Sequence, residues 1–327
     1  MERTGHTRRM ELITADDVRA AETRLQGQVV RTPLTAGPPD GPSFLVKPES
    51  LQPTGAFKLR GATNAVALLN PTQRRTGVVT HSSGNHGQAL AYAAARNGVP
   101  CTVVVPEGSP KVKIDRIRAF GARVVLVPPE RREDAARELE ESELLAWVPP
   151  FDDPHVIAGQ GTVGLEILEQ SPEVTTIVVP VGGGGLASGV ATAAQTVRPH
   201  RVRVVGVEPE LAADAVESLR TGHLVTWSPE RTQRTLADGT RVCLSERTFA
   251  HLRARLDEIV TVTEEEIAHA VARLAHGARL VAEPSGALAA AAILAGRVTT
   301  TPGRPEATVA VVSGGNVDPE LFVRMVR

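Results

Sequence analysis

Residues 77–127 read GVVTHSSGNHGQALAYAAARNGVPCTVVVPEGSPKVKIDRIRAFGARVVLV, and their pattern decides the fold class. Short β-branched runs at 78–80, 102–105 and 123–127 alternate with an alanine-rich stretch at 88–96 and an amphipathic one at 111–120. Such alternation predicts strands and helices taking turns in a parallel sheet. Gly98 and Gly121 stand where C-terminal helix caps belong. A second series follows downstream: a strand at 176–179, a glycine run, a helix at 186–197 and a strand at 203–207. Thr263 and Glu266 form a capping box opening a helix that runs to about His276, 309–312 reads as a late buried strand, and Asp318-Pro319 starts the last helix. Residues 228–248 read as a polar loop. Ahead of residue 60 only 16–26, behind Thr14, has helical character, and the rest carries too little periodicity to place.

The 327 residues balance 36 Lys and Arg against 37 Asp and Glu, leaving a net charge of −1 and no field for nucleic acid or an anionic membrane. A hydrophobic fraction of 42% with 22% charged residues argues for a packed core rather than disorder. The length exceeds the roughly 250–300 residues at which single cores stop growing, so two lobes are expected. Cys101 and Cys243 have no CxxC spacing, which excludes a disulfide framework and a zinc or redox pair and fits a reducing cytoplasm. Arg3, Arg8 and Arg9 are followed by no apolar stretch, and no window approaches the roughly 18 apolar residues of a membrane span, so neither export nor insertion is expected.

Four segments at strand ends carry the candidate chemistry, since open α/β sheets bind ligands there. Gly182, Gly183, Gly184 and Gly185, followed by Leu186, bring backbone N–H groups to a helix N-terminus, a ready phosphate site. Gly182-x-Gly184-x-x-Ala187 also fits the dinucleotide fingerprint, with Glu208 placed as its ribose-binding acid, which keeps a nicotinamide oxidoreductase open. The second segment, Pro53 to Ala62, contains Lys58. The chain has only four lysines, and Lys47 precedes a proline while Lys111 and Lys113 read as exposed helix residues, so Lys58 remains the candidate for a buried, neutralisable amine. The third, from His81 to Gln88, gathers hydroxyls, an amide and backbone N–H groups suited to a small carboxylate, with His86 capping or orienting the loop. The fourth, Ser313-Gly314-Gly315-Asn316, offers a hydroxyl to a ring nitrogen.

Together these residues resemble the fold-type II pyridoxal-phosphate enzymes, in the serine/threonine dehydratase and serine racemase branch. The resemblance runs from about Thr14 to Asn316 and includes Ala158-Gly159-Gln160-Gly161-Thr162 in the family's order. It implies a two-lobed α/β fold like the tryptophan synthase β chain, with parallel-rich sheets, a large cofactor-binding domain from 1–72 and 152–327, and a small mobile domain from 73–151. It implies pyridoxal 5'-phosphate held by Lys58 as an internal aldimine, Phe57 against the ring, and Gly182 to Gly185 with Leu186 at the phosphate. Asn85 would meet the phenolic oxygen and Ser313 the pyridine nitrogen. Ser82, Ser83, Asn85 and His86, with Arg132 as a further candidate, would hold the substrate carboxylate.

The implied reaction removes the α proton with the freed lysine, expels a β-hydroxyl and releases a 2-keto acid and ammonia. A neutral Ser313 at the ring nitrogen weakens the electron sink and favours elimination. Ser83 stands where the racemases of the branch look to have a second acid/base, so serine racemisation is the alternative; 3-hydroxyaspartate dehydration is another, with Arg241 as partner of a second carboxylate or as a solvent-facing residue. A cofactor-binding regulator without turnover is a further alternative. Glu208, Ala212 and Asp214 match the spacing of the family's divalent cation site, which suits Mg²⁺ or Ca²⁺. After Ala237-Asp238-Gly239 the chain departs from both patterns at Thr240-Arg241-Val242-Cys243, which leaves the substrate side chain open. A chain stopping at Arg327 has no room for the regulatory domain of feedback-inhibited threonine dehydratases, and the resemblance implies a homodimer.

Overall fold

The computed structural model describes residues 11–327; Arg3, Arg8 and Arg9 lie outside the described residues. Among the described residues ten strands form two sheets: β1 Thr35–Ala36, β2 Leu45–Pro48, β3 Val78–His81, β4 Cys101–Pro106, β5 Arg123–Val127, β6 Ala146–Trp147, β7 Thr176–Pro180, β8 Arg203–Pro209, β9 Glu258–Val262 and β10 Thr308–Val312. The smaller sheet has the order β5-β4-β3-β6 and is parallel throughout. In the larger, β1-β2-β10-β7-β8-β9, only β1 runs antiparallel. Strands β7 and β10 are buried along their whole length because helices cover both sheet faces, which is why they read as continuous apolar runs rather than alternating ones.

Crossover helices join neighbouring parallel strands: Asn85–Arg96 between β3 and β4, Lys111–Ala119 between β4 and β5, and Gly185–Val197 between β7 and β8. The capping boxes at Thr14 and Thr263 form, opening Ala15–Leu25 and Glu264–Gly277. Asp318 caps Pro319–Val326 through the N–H groups of Glu320 and Leu321. The core of the larger sheet is filled by Pro284–Leu294, whose residues are buried from Pro284 to Ile293.

Two expectations need correction. The 228–248 stretch is not all loop: Pro229–Thr232 and Asp238–Thr240 form short turns, and Ser245 caps the helix Glu246–Arg255 with a capping box. That helix is polar outside, and only Thr248, Phe249, His251 and Leu252 are buried, so its apolar signal is thin. The N-terminal region that lacks periodicity supplies β1 and β2, and β2 pairs in parallel with β10, Val46 opposite Ala310. A four-residue strand whose partner lies more than 250 residues away leaves no local signature.

Candidate active site

A cavity of about 260 Å³ opens between the two sheets at the C-terminal ends of β3, β7 and β10. One wall carries Ser82, Ser83, Asn85, His86 and Arg132, and the other Phe57, Lys58, the loop from Gly182 to Gly185, Leu186 and Ser313. Thus the residues assigned by sequence to cofactor and substrate converge on one space, while Glu208, Ala212 and Asp214 lie away from its walls.

Lys58 is the first residue of the helix Lys58–Ala67. Its Nζ donates to the Pro150 carbonyl at 2.5 Å and lies 5.1 Å from the centre of the Phe57 ring. Burial pulls this amine down to about 8, with no carboxylate partner among the described residues to hold its proton. Lys47 is also buried, but its Nζ is engaged by Glu166 at 2.6 Å, the Thr32 carbonyl at 2.6 Å and Gln170 at 3.0 Å, so an ion network excludes it, not the proline behind it. Lys111 is exposed and paired with Asp115, as expected. Lys113, expected as an exposed helix residue, instead lines the cavity and pairs with Asp238 at 2.8 Å.

The glycine loop ends at the first turn of Gly185–Val197, whose leading N–H groups have no partner within the helix. Gly184 has φ +81°, and a Cβ there would lie 2.7 Å from Leu244 Cδ2. A Cβ on Gly183 would lie 2.4 Å from the Phe151 ring. The loop can therefore lie flat only as glycine, leaving its backbone facing the cavity, a fit for the phosphate of pyridoxal phosphate.

The opposite wall differs from expectation in detail. The His86 Nε2–H donates to the Val148 carbonyl at 2.9 Å, while Nδ1 is buried without a partner among the described residues. Burial, then the Lys58 charge, pushes His86 down to about 3, so the ring is neutral and its one N–H is spent. The ring offers only a lone pair and cannot donate to a substrate carboxylate. Ser82 Oγ accepts from Gly84 N at 3.2 Å. Arg132 opens the helix Arg132–Glu143 and is exposed at the cavity edge. Arg241 donates to the Thr235 carbonyl at 2.6 and 3.2 Å and lies outside the lining, where Val242 stands instead, so it offers no second carboxylate site there.

Asn85 is held at both ends of its amide: Nδ2 donates to Glu283 Oε1 at 2.6 Å, and Oδ1 accepts from Asn316 Nδ2 at 2.7 Å. Glu283 is a cavity residue that the sequence motifs do not single out. Burial, then the nearby Asp238, pushes its carboxyl up to about 7. Its one sequence signal is an acid set immediately before a helix that is apolar but for Ser285.

Glu208 lies near the end of β8, turned away from the cavity, its carboxylate accepting from Ala215 N at 3.2 Å and Val216 N at 2.8 Å. It is therefore not placed to hold a ribose in the cavity, and the dinucleotide reading loses its acid. Asp214 Oδ2 accepts from Leu244 N at 3.1 Å, whereas Oδ1 is buried with no partner among the described residues. Burial and the neighbouring Asp214 push Glu208 up, and burial raises Asp214 to about 6. Two adjoining buried acids with an unused oxygen fit a hard cation, with the carbonyl of Ala212 available from the turn Glu210–Ala212. Among the described residues no cluster of three His, Cys, Asp or Glu side chains forms a metal site.

The profile of the family described as pyridoxal-phosphate dependent enzyme matches residues 25–314. An L-threonine ammonia-lyase of Thermotoga maritima is 41% identical over 324 residues, covering 96% of this chain and 78% of that protein. A serine racemase of Arabidopsis thaliana is 40% identical over 310 residues, 92% of each chain. The structure of maize serine racemase superposes with a TM-score of 0.89 at 34% identity, over 96% of this chain and 97% of that one.

Proposed function

The chain belongs to the family of pyridoxal-phosphate dependent enzymes, and from that premise we propose that it is an ammonia-lyase converting a β-hydroxy amino acid, L-threonine or L-serine first, to a 2-keto acid and ammonia. The observation that carries this reading is the Lys58 amine, drawn down to about 8 by burial and without a counter-ion among the described residues, in the same cavity as the glycine loop. Relatives named threonine ammonia-lyase or threonine dehydratase support it across most of the chain.

When bound, the cofactor supplies the electron sink that acidifies the hydrogen on the substrate's α carbon. The backbone of Gly182 to Gly185 and Leu186 would hold the phosphate, Phe57 would pack on the ring, Asn85 would serve the phenolic oxygen, and Ser313 would offer the ring nitrogen a neutral hydroxyl. Ser82, Ser83 and the backbone N–H groups opening Asn85–Arg96, those of Asn85 and His86 included, would hold the substrate carboxylate, with Arg132 at the rim. Lys58 would take the α proton from one face; with burial drawing its amine down to about 8, a fraction of it is unprotonated at neutral pH. Glu208, Asp214 and the Ala212 carbonyl would hold Mg²⁺ or Ca²⁺, which would fix the turn between β8 and the helix Asp214–Thr221.

Racemisation of serine is the second reading, supported by the Ser83 hydroxyl on the cavity wall and by the serine racemases among the relatives. The small lobe, 73–151, closes on the larger one, 1–72 with 152–327; the bonds of Lys113 to Asp238 and of Arg116 to Asn316 cross between them. A homodimer follows the family resemblance, and the unpaired Cys101 and Cys243 fit a cytoplasmic setting. The test is a chiral product assay with pyridoxal phosphate and Mg²⁺ on L-serine, L-threonine and L-threo-3-hydroxyaspartate. Keto acid that disappears in Lys58→Ala is expected. D-serine formed by the wild type and lost in Ser83→Ala would put racemisation first, and wild-type turnover by Lys58→Ala would sink the assignment.

A further inference from the structure

Glu283 is a cavity acid with no part in the reaction described above. It is 5% exposed and, among the described residues, receives no direct hydrogen bond from a cationic side chain; its carboxylate accepts from Asn85 Nδ2. The turn after β10 is shaped around it, since a Cβ on Gly314 would sit 2.3 Å from Glu283 Oε1. On the far side of Asn85, Asn316 Nδ2 donates to Asn85 Oδ1 and, at 2.8 Å, to the Thr54 carbonyl, while its Oδ1 accepts from Arg116 at 3.2 Å. With the carbonyl of Asn85 occupied by Asn316 and one amide hydrogen on Glu283, a single N–H of Asn85 is left for any ligand.

We propose that Glu283 is a positioning residue for the cofactor, acting through Asn85: it holds one amide hydrogen so that the other faces the phenolic oxygen of pyridoxal phosphate. This rests on the functional reading above. The groups facing Glu283 are Asn85 at the start of its helix, Asp238 from the turn Asp238–Thr240, Lys113 from Lys111–Ala119, and Asn316 beyond β10. Burial and Asp238 favour the protonated acid, while Asn85, Lys113 and Asn316 favour the carboxylate, and the balance falls at about 7. Below that pH the acid carries a hydrogen of its own and grips Asn85 more weakly, so the hold on the cofactor loosens as pH falls.

The test compares wild type, Glu283→Gln, Glu283→Ala and Lys58→Ala, following pyridoxal phosphate affinity and the visible absorption of the lysine-bound cofactor from pH 6 to 9. In the wild type, affinity and absorption should change together around pH 7. Glu283→Gln, which keeps a neutral acceptor but cannot titrate, should lose that step and bind at pH 8 as the wild type binds below pH 7, between wild type and Glu283→Ala. Glu283→Ala should bind on the order of tenfold more weakly at pH 8, as expected for loss of one charge-assisted hydrogen bond. Identical pH profiles in wild type and Glu283→Gln would overturn the proposal, and that comparison decides the matter even if the alanine variant does not fold. A wild type showing no visible band that Lys58→Ala lacks would overturn the Lys58 assignment, and this inference with it.

Discussion

Replacing Arg60 by methionine removes the one guanidinium that joins two buried carboxylates. Arg60 donates to Glu49 at 2.7 and 2.8 Å and to Glu166 at 2.6 and 2.9 Å, with the Thr162 hydroxyl at 3.1 Å. The side chains of Arg60 and Glu49 are wholly buried and that of Glu166 is 7% exposed, so water cannot substitute. Burial alone would push Glu49 above the ordinary carboxylate range, yet Arg60 outweighs it and holds the acid below. Without Arg60, Glu49 keeps only Thr32 and Gln52, and Glu166 keeps Lys47. Breaking a buried pair from one side costs roughly 3–5 kcal/mol. With an unfolding entropy of roughly 2 cal/mol/K per residue, the holoenzyme should melt about 4–7 °C lower by scanning calorimetry at pH 7.5. Adding Glu49→Gln removes the stranded charge and should recover part of the loss. Arg60→Met melting within about 1 °C of wild type, or a further drop on adding Glu49→Gln, would refute the reasoning.

Gly183→Ala should weaken pyridoxal phosphate binding by at least on the order of tenfold, because the new Cβ meets Phe151 and the loop must lift; unchanged affinity by fluorescence titration would remove this loop from the phosphate site. Attachment of pyridoxal phosphate to apoprotein should accelerate with rising pH and reach half its plateau near 8, since the neutral amine of Lys58 is the nucleophile and burial lowers the pH at which it appears. A stopped-flow rate that is flat from pH 6.5 to 9.5 would contradict that. Mg²⁺ or Ca²⁺ at about one hundred times its dissociation constant should stabilise the protein by about 2.7 kcal/mol, reversed by chelator and absent in Asp214→Ala. Melting curves unmoved by either ion would count against the cation site.

What sequence discloses and what it conceals divide along physical lines. Four glycines between a strand and a helix can be read directly, because such a loop requires that residue type. Lys58 emerges by elimination, but the proline after Lys47 is the wrong ground for excluding that residue: the ion network that consumes Lys47 joins it to residues 15 to 123 positions away, which no local pattern displays. Glu283 is invisible for the same cause, since its partner Asn85 is 198 positions away. The resemblance places His86 among the groups that hold the substrate carboxylate, whereas its tautomer is set by the Val148 carbonyl on a neighbouring segment. β-α repeats declare themselves because each unit is contiguous; β2 does not, because its neighbour is the last strand of the chain.

That placement of β10 orders events in time as well as space. The strand enters between β2 and β7, so both present unsatisfied edges until residues 308–312 have emerged from the ribosome. The four-stranded sheet, by contrast, is complete once residue 147 has been made, and one half of the cavity can be folded while the other waits. Ser313 and Asn316, which follow β10 directly, arrive with it, so both walls of the cavity stand only after residues 308–316 have joined the sheet and its following turn.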